Sequence, residues 1–84
     1  MEILYFKAPR TVNIVSKRAI TVSDLGELTG KPEIVHQAKK LEVTHLSGGE
    51  KERRLISIMD VIETVQRNLK DTCVINTGAQ DIIL

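Results

Sequence analysis

A glycine-containing motif is the residue pattern with the clearest potential for chemistry. The residues from Leu46 to Glu50 read LSGGE, and the basic residues Lys51, Arg53 and Arg54 follow shortly after them. The backbone N–H groups of a glycine-rich turn can bind phosphate oxygens, so this arrangement is compatible with nucleotide binding. A nucleotide site also needs further parts, and the rest of the sequence has to supply them.

Those further parts are missing from the sequence. LSGGE resembles the signature sequence of ABC-type ATPases, which completes a phosphate site that a GxxxxGK[ST] loop begins. The 84-residue chain contains neither this loop nor an apolar run ending in Asp-Glu that could hold magnesium. We therefore interpret Gly48-Gly49 as the loop of a β-hairpin between predicted strands at 41–46 and 53–58, and we expect no nucleotide binding.

Histidine and cysteine residues show no catalytic or metal-binding pattern. His36, His45 and Cys73 are scattered and lack metal-ligand spacing, and neither GxSxG nor HExxH occurs. Cys73 lies in the apolar stretch CVI and is predicted to be a buried, inert thiol. We predict a non-enzymatic protein with no catalytic residue, no cofactor and no metal.

Composition and charge limit the classes of partner. The net charge of +1 is too small to predict binding to nucleic acid or to an anionic membrane. Tyr5 and Phe6 are the only aromatic residues, so the chain lacks a stacking platform for single-stranded nucleic acid. The length predicts one small domain over 1–84, which we expect to be soluble because no apolar run approaches the ~18 residues of a membrane span.

Two segments with similar sequences predict two similar strand-to-helix junctions. ITVSDLGEL at 20–28 matches ISIMDVIET at 56–64. In these segments Thr21 with Asp24, and Ser57 with Asp60, fit the [ST]-x-x-[DE] pattern of a helix start, which favours capping roles for both aspartates over a catalytic pair. The similarity has two explanations that remain open, shared capping chemistry and an internal duplication.

The order of the apolar patterns predicts an α+β fold. We expect a single small mixed sheet with two or three helices, formed by two β-α-β halves that the 46–53 hairpin joins; a ferredoxin-like or related split arrangement is one option. Helices are predicted over SDLGEL, after Pro32, and at 59–70, where an apolar stripe is clearest. Strands are predicted at 2–7, 11–15, 19–22, 41–46, 53–58, 73–76 and 81–84.

The order and spacing of these segments resemble one family. EILYFKAPRTVNI, ITVSDLGELTG, ISIMDVIETVQ and INTGAQDIIL together resemble the N-terminal domain of stage V sporulation protein AA over nearly the whole chain. The resemblance implies an endospore-forming bacterium and a longer parent protein in the forespore inner membrane. It also implies cooperation with other stage V sporulation membrane proteins in the uptake of calcium and dipicolinic acid. The apolar residues DIIL at the end would suit a fragment of the parent protein that stops ahead of its membrane segments.

The resemblance supplies no catalytic residue, and this sequence contains no membrane path for a solute. It therefore implies an accessory or interaction domain. The alternative is a β-rich assembly or binding module of a pilus- or flagellar-type system, because AITVSDL also resembles a segment of such domains.

The terminal strands are the predicted interaction elements. Strands 2–7 and 80–84 are apolar on both faces and carry few charges. We expect at least one of them at a sheet edge, where free backbone N–H and C=O groups can pair with another strand. The candidate interaction residues are Ile3, Tyr5, Ile82 and Leu84, which would contact a partner protein or a second copy of the chain.

Overall fold

The described part of the chain folds into short strands and three helices, and the predicted α+β class is confirmed. A computed structural model describes residues 1–12, 19–45 and 55–83. Within these ranges the elements are, in chain order, β1 (Glu2–Lys7), β2 (Ala19–Thr21), α1 (Val22–Leu25), β3 (Glu27–Thr29), α2 (Pro32–Lys39), β4 (Glu42–His45), β5 (Leu55–Ser57), α3 (Ile58–Asn68), β6 (Thr72–Asn76) and β7 (Asp81–Ile83).

The described strands form three small sheets, with β1 in the centre of the largest. Strand β1 pairs antiparallel with β3 on one edge and parallel with β6 on the other. The two remaining sheets are antiparallel pairs, β2 with β4 and β5 with β7. The prediction of a single mixed sheet is therefore wrong in this respect, because the strands before and after each of α1 and α3 belong to different sheets.

The two similar sequence segments do adopt the same order of elements. Each forms a strand followed by a helix, β2-α1 in the first and β5-α3 in the second. The strands that come next in the chain, β3 and β6, both pair with β1. The predicted hairpin between β4 and β5 is not observed in the described ranges, since β4 pairs with β2 and β5 with β7. This pairing also differs from the ferredoxin-like option. Residues 46–54, with Gly48-Gly49, and residues 13–18 lie outside the described residues.

The predicted helix starts are confirmed. In α1 the Asp24 Oδ2 atom accepts hydrogen bonds from the N–H and the hydroxyl group of Thr21, both at 3.0 Å. In α3 the Ser57 Oγ atom accepts a hydrogen bond from the Met59 N–H at 3.2 Å. Asp60 lies in the first turn of α3, where the positive end of the helix dipole stabilises a carboxylate.

Helix α1 is shorter than predicted and is followed by a strand. It ends at Leu25, and the next residues after Gly26 form β3 instead of continuing to Gly30. At Gly26 the backbone lies close to β1. A Cβ at this position would be 2.5 Å from the Lys7 carbonyl oxygen and 2.8 Å from Cζ of Phe6. A residue without a side chain therefore allows β3 to approach β1.

The first and last parts of the chain run side by side, and we call their backbone pairing the parallel seam. It begins with the parallel pairing of β1 and β6 and continues beyond it, joining residues 2–12 to residues 71–83. The continuing hydrogen bonds run from Thr77 N–H to the Phe6 carbonyl (2.9 Å), Ala79 N–H to Ala8 (3.1 Å), Ile83 N–H to Arg10 (2.8 Å) and Val12 N–H to Ile83 (2.9 Å).

The core lies between β1 and the helices. Leu4 and Phe6 of β1 are fully buried, as are Val61 and Val65 of α3, so the apolar stripe predicted for this helix faces inward as expected. Cys73 is only partly buried, so its predicted full burial is wrong. It lies on the opposite face of β6 from the buried Thr72 and Val74. Among the described residues, thirteen apolar side chains form the buried core: Leu4, Phe6, Ala8, Ile20, Val22, Leu25, Ala38, Ile56, Ile58, Val61, Val65, Val74 and Ile82.

The buried face of α3 gives the first prediction. Val65→Asp would bury a charge without a partner, and the free energy of unfolding of a small domain is only about 5–15 kcal/mol. We expect this variant to be unfolded by circular dichroism and thermal melting. Met59→Asp introduces the same charge at an exposed position in the first turn of the same helix and should leave the domain folded. A cooperative melt for Val65→Asp close to that of the control would contradict the assigned core.

The parallel seam gives the second prediction. A Cβ at Gly78 would lie 2.6 Å from the Ala8 nitrogen and 2.7 Å from its carbonyl oxygen, and these backbone atoms cannot move without disturbing the seam. We expect Gly78→Ala to lower the free energy of unfolding by about 1–3 kcal/mol, as for other overpacked sites. Gln80→Ala, at an exposed neighbour, should change it by less than about 0.5 kcal/mol. Urea denaturation measures both, and equal stability of the two variants would contradict the close approach.

Candidate interaction surface

The side chains of β1 alternate between the core and an exposed apolar face. Leu4 and Phe6 point inward, whereas Ile3 and Tyr5 are each 45% exposed on the other side of the sheet. Ile75 on β6 is 39% exposed and half-buried Cys73 lies two residues before it on the same strand. We call the surface formed by Ile3, Tyr5, Cys73 and Ile75 the outer sheet face.

The strand register places these four side chains together. Ile3 lies opposite Cys73, and Tyr5 lies opposite Ile75 on the neighbouring parallel strand. Neighbouring strands are about 4.8 Å apart and residues two apart on a strand are separated by about 7 Å, so the four side chains form one contiguous apolar block. A block of this kind on a small domain is typical of a contact surface.

Charged side chains border the outer sheet face. Lys7 lies opposite Glu27 in the antiparallel pairing of β1 and β3. Glu2, whose Oε1 atom lies 3.5 Å from Nζ of Lys31, belongs to the opposite side of the sheet, with Leu4 and Phe6. An apolar centre with a charged border is the usual arrangement of a protein–protein interface.

The structure separates the four candidate interaction residues that the sequence predicted. Ile3 and Tyr5 lie on the outer sheet face. Ile82 is fully buried in the core, so its predicted role at a surface is wrong, and Leu84 lies outside the described residues. Sequence reasoning missed Cys73 and Ile75, although their two-residue spacing in TCVIN is the signal that would have found them.

The terminal strands do not present a free backbone edge along their length. Strand β1 pairs on both sides, and β7 pairs with β5 and bonds to the backbone of Arg10 and Val12. The predicted edge position is therefore wrong, because the parallel seam covers both terminal strands. At the outer edge of β6 the Gln66 Oε1 atom accepts a hydrogen bond from Val74 N–H at 3.1 Å, which covers one exposed donor. The surface offered by β1 consists of side chains.

A second apolar patch lies on the sheet formed by β5 and β7. Leu55 lies opposite Ile83 in this pair, and both side chains are exposed. Within the described chain this second apolar patch consists of two residues, Leu55 and Ile83, whereas the outer sheet face consists of four. It provides a matched control for the outer sheet face.

The described part of the chain contains neither a metal-binding cluster nor a helix that could span a membrane. Across residues 1–12, 19–45 and 55–83, no group of three or more His, Cys, Asp or Glu side chains is placed to hold a metal ion. None of the helices in these ranges has the length and apolarity needed to cross a bilayer. The absence of an enzymatic activity and of cofactors stays a prediction from the sequence.

Comparisons with known proteins identify a family and a similar solved structure. The model of the family described as stage V sporulation protein AA matches residues 1–84, which is the whole chain. A crystal structure of a functionally unknown protein from Eubacterium ventriosum is similar, with a TM-score of 0.85 and 26% sequence identity over 98% of this chain and 89% of that one. No curated protein matches the chain.

The outer sheet face gives a prediction about self-association. A stable interface buries about 800 Å² on each partner, far more than four side chains provide, so two copies should associate weakly through this face. Sedimentation equilibrium over a concentration series should show association that Tyr5→Thr/Ile75→Thr abolishes, since threonine keeps strand propensity and removes apolar surface. Leu55→Thr/Ile83→Thr is the control. Equal association of the two double variants would contradict the assignment.

Proposed function

We propose a function from the premise that this chain belongs to the stage V sporulation protein AA family. Membership in this family gives the chain a role in sporulation. The finer role that we propose is that of a non-enzymatic accessory domain, which holds together an assembly that moves calcium and dipicolinic acid into the forespore. Its parent protein would lie in the forespore inner membrane and its partners would be other stage V sporulation membrane proteins.

The observation that carries this proposal is the outer sheet face. Isolated apolar side chains are common on protein surfaces, but Ile3, Tyr5 and Ile75 are neighbours across paired strands. Burial of apolar surface contributes roughly 25 cal/mol per Å², so covering this block would stabilise a complex. A partner with an apolar surface of similar size and a charged border would match it.

The placement of the face on β1 supports a role in positioning a partner. Strand β1 is held on both edges, and its inward side chains Leu4 and Phe6 are fully buried. Side chains on such a strand keep their relative positions when a partner binds, which lowers the entropic cost of association. The family match favours this sporulation role over the alternative of an assembly module from a pilus- or flagellar-type system.

Spore composition tests the proposed role. The parent gene would carry Tyr5→Thr/Ile75→Thr as its single copy in a spore-forming host, and the dipicolinic acid content of purified spores would be measured. We expect a severalfold lower content than in wild-type spores, because the domain would no longer hold its partner. The matched control is Leu55→Thr/Ile83→Thr, which removes similar apolar area from the second apolar patch and should leave the content unchanged.

A crosslinking measurement separates loss of a partner from loss of the protein. A photoreactive phenylalanine analogue at position 5 should crosslink to another stage V sporulation membrane protein, whereas the same analogue at position 55 should not. Immunoblotting confirms that each variant accumulates to the wild-type level. Wild-type dipicolinic acid in spores that contain the stable Tyr5→Thr/Ile75→Thr protein would disprove the proposed function.

A further inference from the structure

A cleft between the start of α1 and the end of α2 has the composition of an anion site. Its volume is about 430 Å³, and it is lined by Thr21, Ser23, His36, Lys39 and Lys40. We call it the basic cleft, and we propose that it binds a phosphate group. The proposal is independent of the outer sheet face and of the function proposed above, because the two surfaces share no residue.

The charges in the basic cleft are unbalanced. Of the five described residues that line it, three are basic and none is acidic. In the part of the chain that the structure describes, His36, Lys39 and Lys40 form no ion pair, whereas Lys31 pairs with Glu2 and Arg67 with Glu63. Neighbouring positive charges repel each other, so an anion between them would be stabilised by the two lysines at neutral pH.

Hydroxyl groups complete the lining of the cleft. The Thr21 and Ser23 hydroxyl oxygens are 3.1 Å apart, and the Thr21 hydroxyl donates to Oδ2 of Asp24 at 3.0 Å. The Ser23 hydroxyl is therefore the donor to the Thr21 oxygen, and it would donate to a ligand by turning away from Thr21. Asp24 is the nearest acidic residue in sequence, and its two hydrogen bonds with Thr21 hold this carboxylate at the start of α1.

Helix electrostatics explain only part of this arrangement. His36 and Lys39 belong to the last turn of α2, where cations interact favourably with the negative end of the helix dipole. Lys40 lies one residue beyond that helix, and the two hydroxyl groups come from a different part of the chain. The stability of α2 does not require Lys40 and the two hydroxyl groups to line the same cleft. Binding of a ligand would explain why they do.

The donor set favours phosphate over carboxylate. Among the residues that the structure describes, no arginine lines the cleft, so these residues do not supply the planar fork that binds a carboxylate through two parallel hydrogen bonds. Ammonium and hydroxyl groups are single-point donors that can approach a tetrahedral phosphate from several directions. The cleft is open to solvent, so the group to which the phosphate is attached can extend out of it.

NMR titration of the 84-residue chain with inorganic phosphate tests the proposal. At constant ionic strength, we expect saturable shifts of the amide signals of residues 21–23 and 36–40. Lys39→Gln/Lys40→Gln should weaken phosphate affinity about tenfold or more, since it removes both charge-assisted contacts. Lys7→Gln/Lys70→Gln makes the same change in net charge elsewhere and should alter the affinity less than about twofold. Sodium chloride at matched ionic strength is the salt control.

A vesicle arm distinguishes a lipid headgroup from a soluble phosphate compound. The chain would be sedimented with vesicles of phosphatidylcholine alone or mixed with phosphatidylglycerol. Binding to the mixed vesicles that Lys39→Gln/Lys40→Gln abolishes assigns the phosphate to a lipid, and phosphate shifts without vesicle binding assign it to a soluble compound. The proposal is overturned if chloride gives the same shifts as phosphate, or if both double variants bind phosphate and vesicles like the wild type.

Discussion

The parallel seam is the constraint on which the rest of the structure depends. Phe6 and Thr77 are 71 residues apart in the sequence, yet the Phe6 carbonyl accepts hydrogen bonds from both the backbone and the side chain of Thr77. Closing so long a loop has an entropic cost that the hydrogen bonds and the core under β1 must offset together. Because Gly26 and Gly78 have no side chain, the segments that contain them can lie close to the backbone of β1 and of Ala8, which follows it. The two halves of the chain are thus joined through one strand.

The outer sheet face follows from this central position. Because β1 is hydrogen-bonded on both edges, its side chains can point only toward the core or away from it. Leu4 and Phe6 contribute to the core that also contains Val61 and Val65 of α3. The alternate residues, Ile3 and Tyr5, must then lie on the other face, and the parallel register adds Cys73 and Ile75 beside them. The apolar surface is a geometric consequence of the same pairing that stabilises the fold.

Local features could be predicted from the sequence, because their causes lie within a few residues. The start of α1 at Thr21 depends on Asp24 three residues later, and the buried stripe of α3 follows from a period of 3.6 residues. Strand pairing depends on contacts between distant segments, which a local sequence pattern does not specify. For this reason the predicted pairing of β4 with β5 is wrong. The segment DIIL shows no alternation of polar and apolar residues, so its pattern does not show which side of the strand is buried. The prediction that Ile82 and Leu84 lie at a surface therefore depends on apolar composition alone.

Helix α1 connects the two surfaces, and its structure bears on whether they communicate. The basic cleft includes Ser23 in its first turn, while Gly26 at its other end contacts β1 at Phe6 and Lys7. Coupling between two sites requires an element with two alternative arrangements. This single turn is fixed at its start by the Asp24–Thr21 hydrogen bonds and at its end by contact with β1. Because both ends of α1 are held by these contacts, we expect occupation of the basic cleft to leave the outer sheet face unchanged.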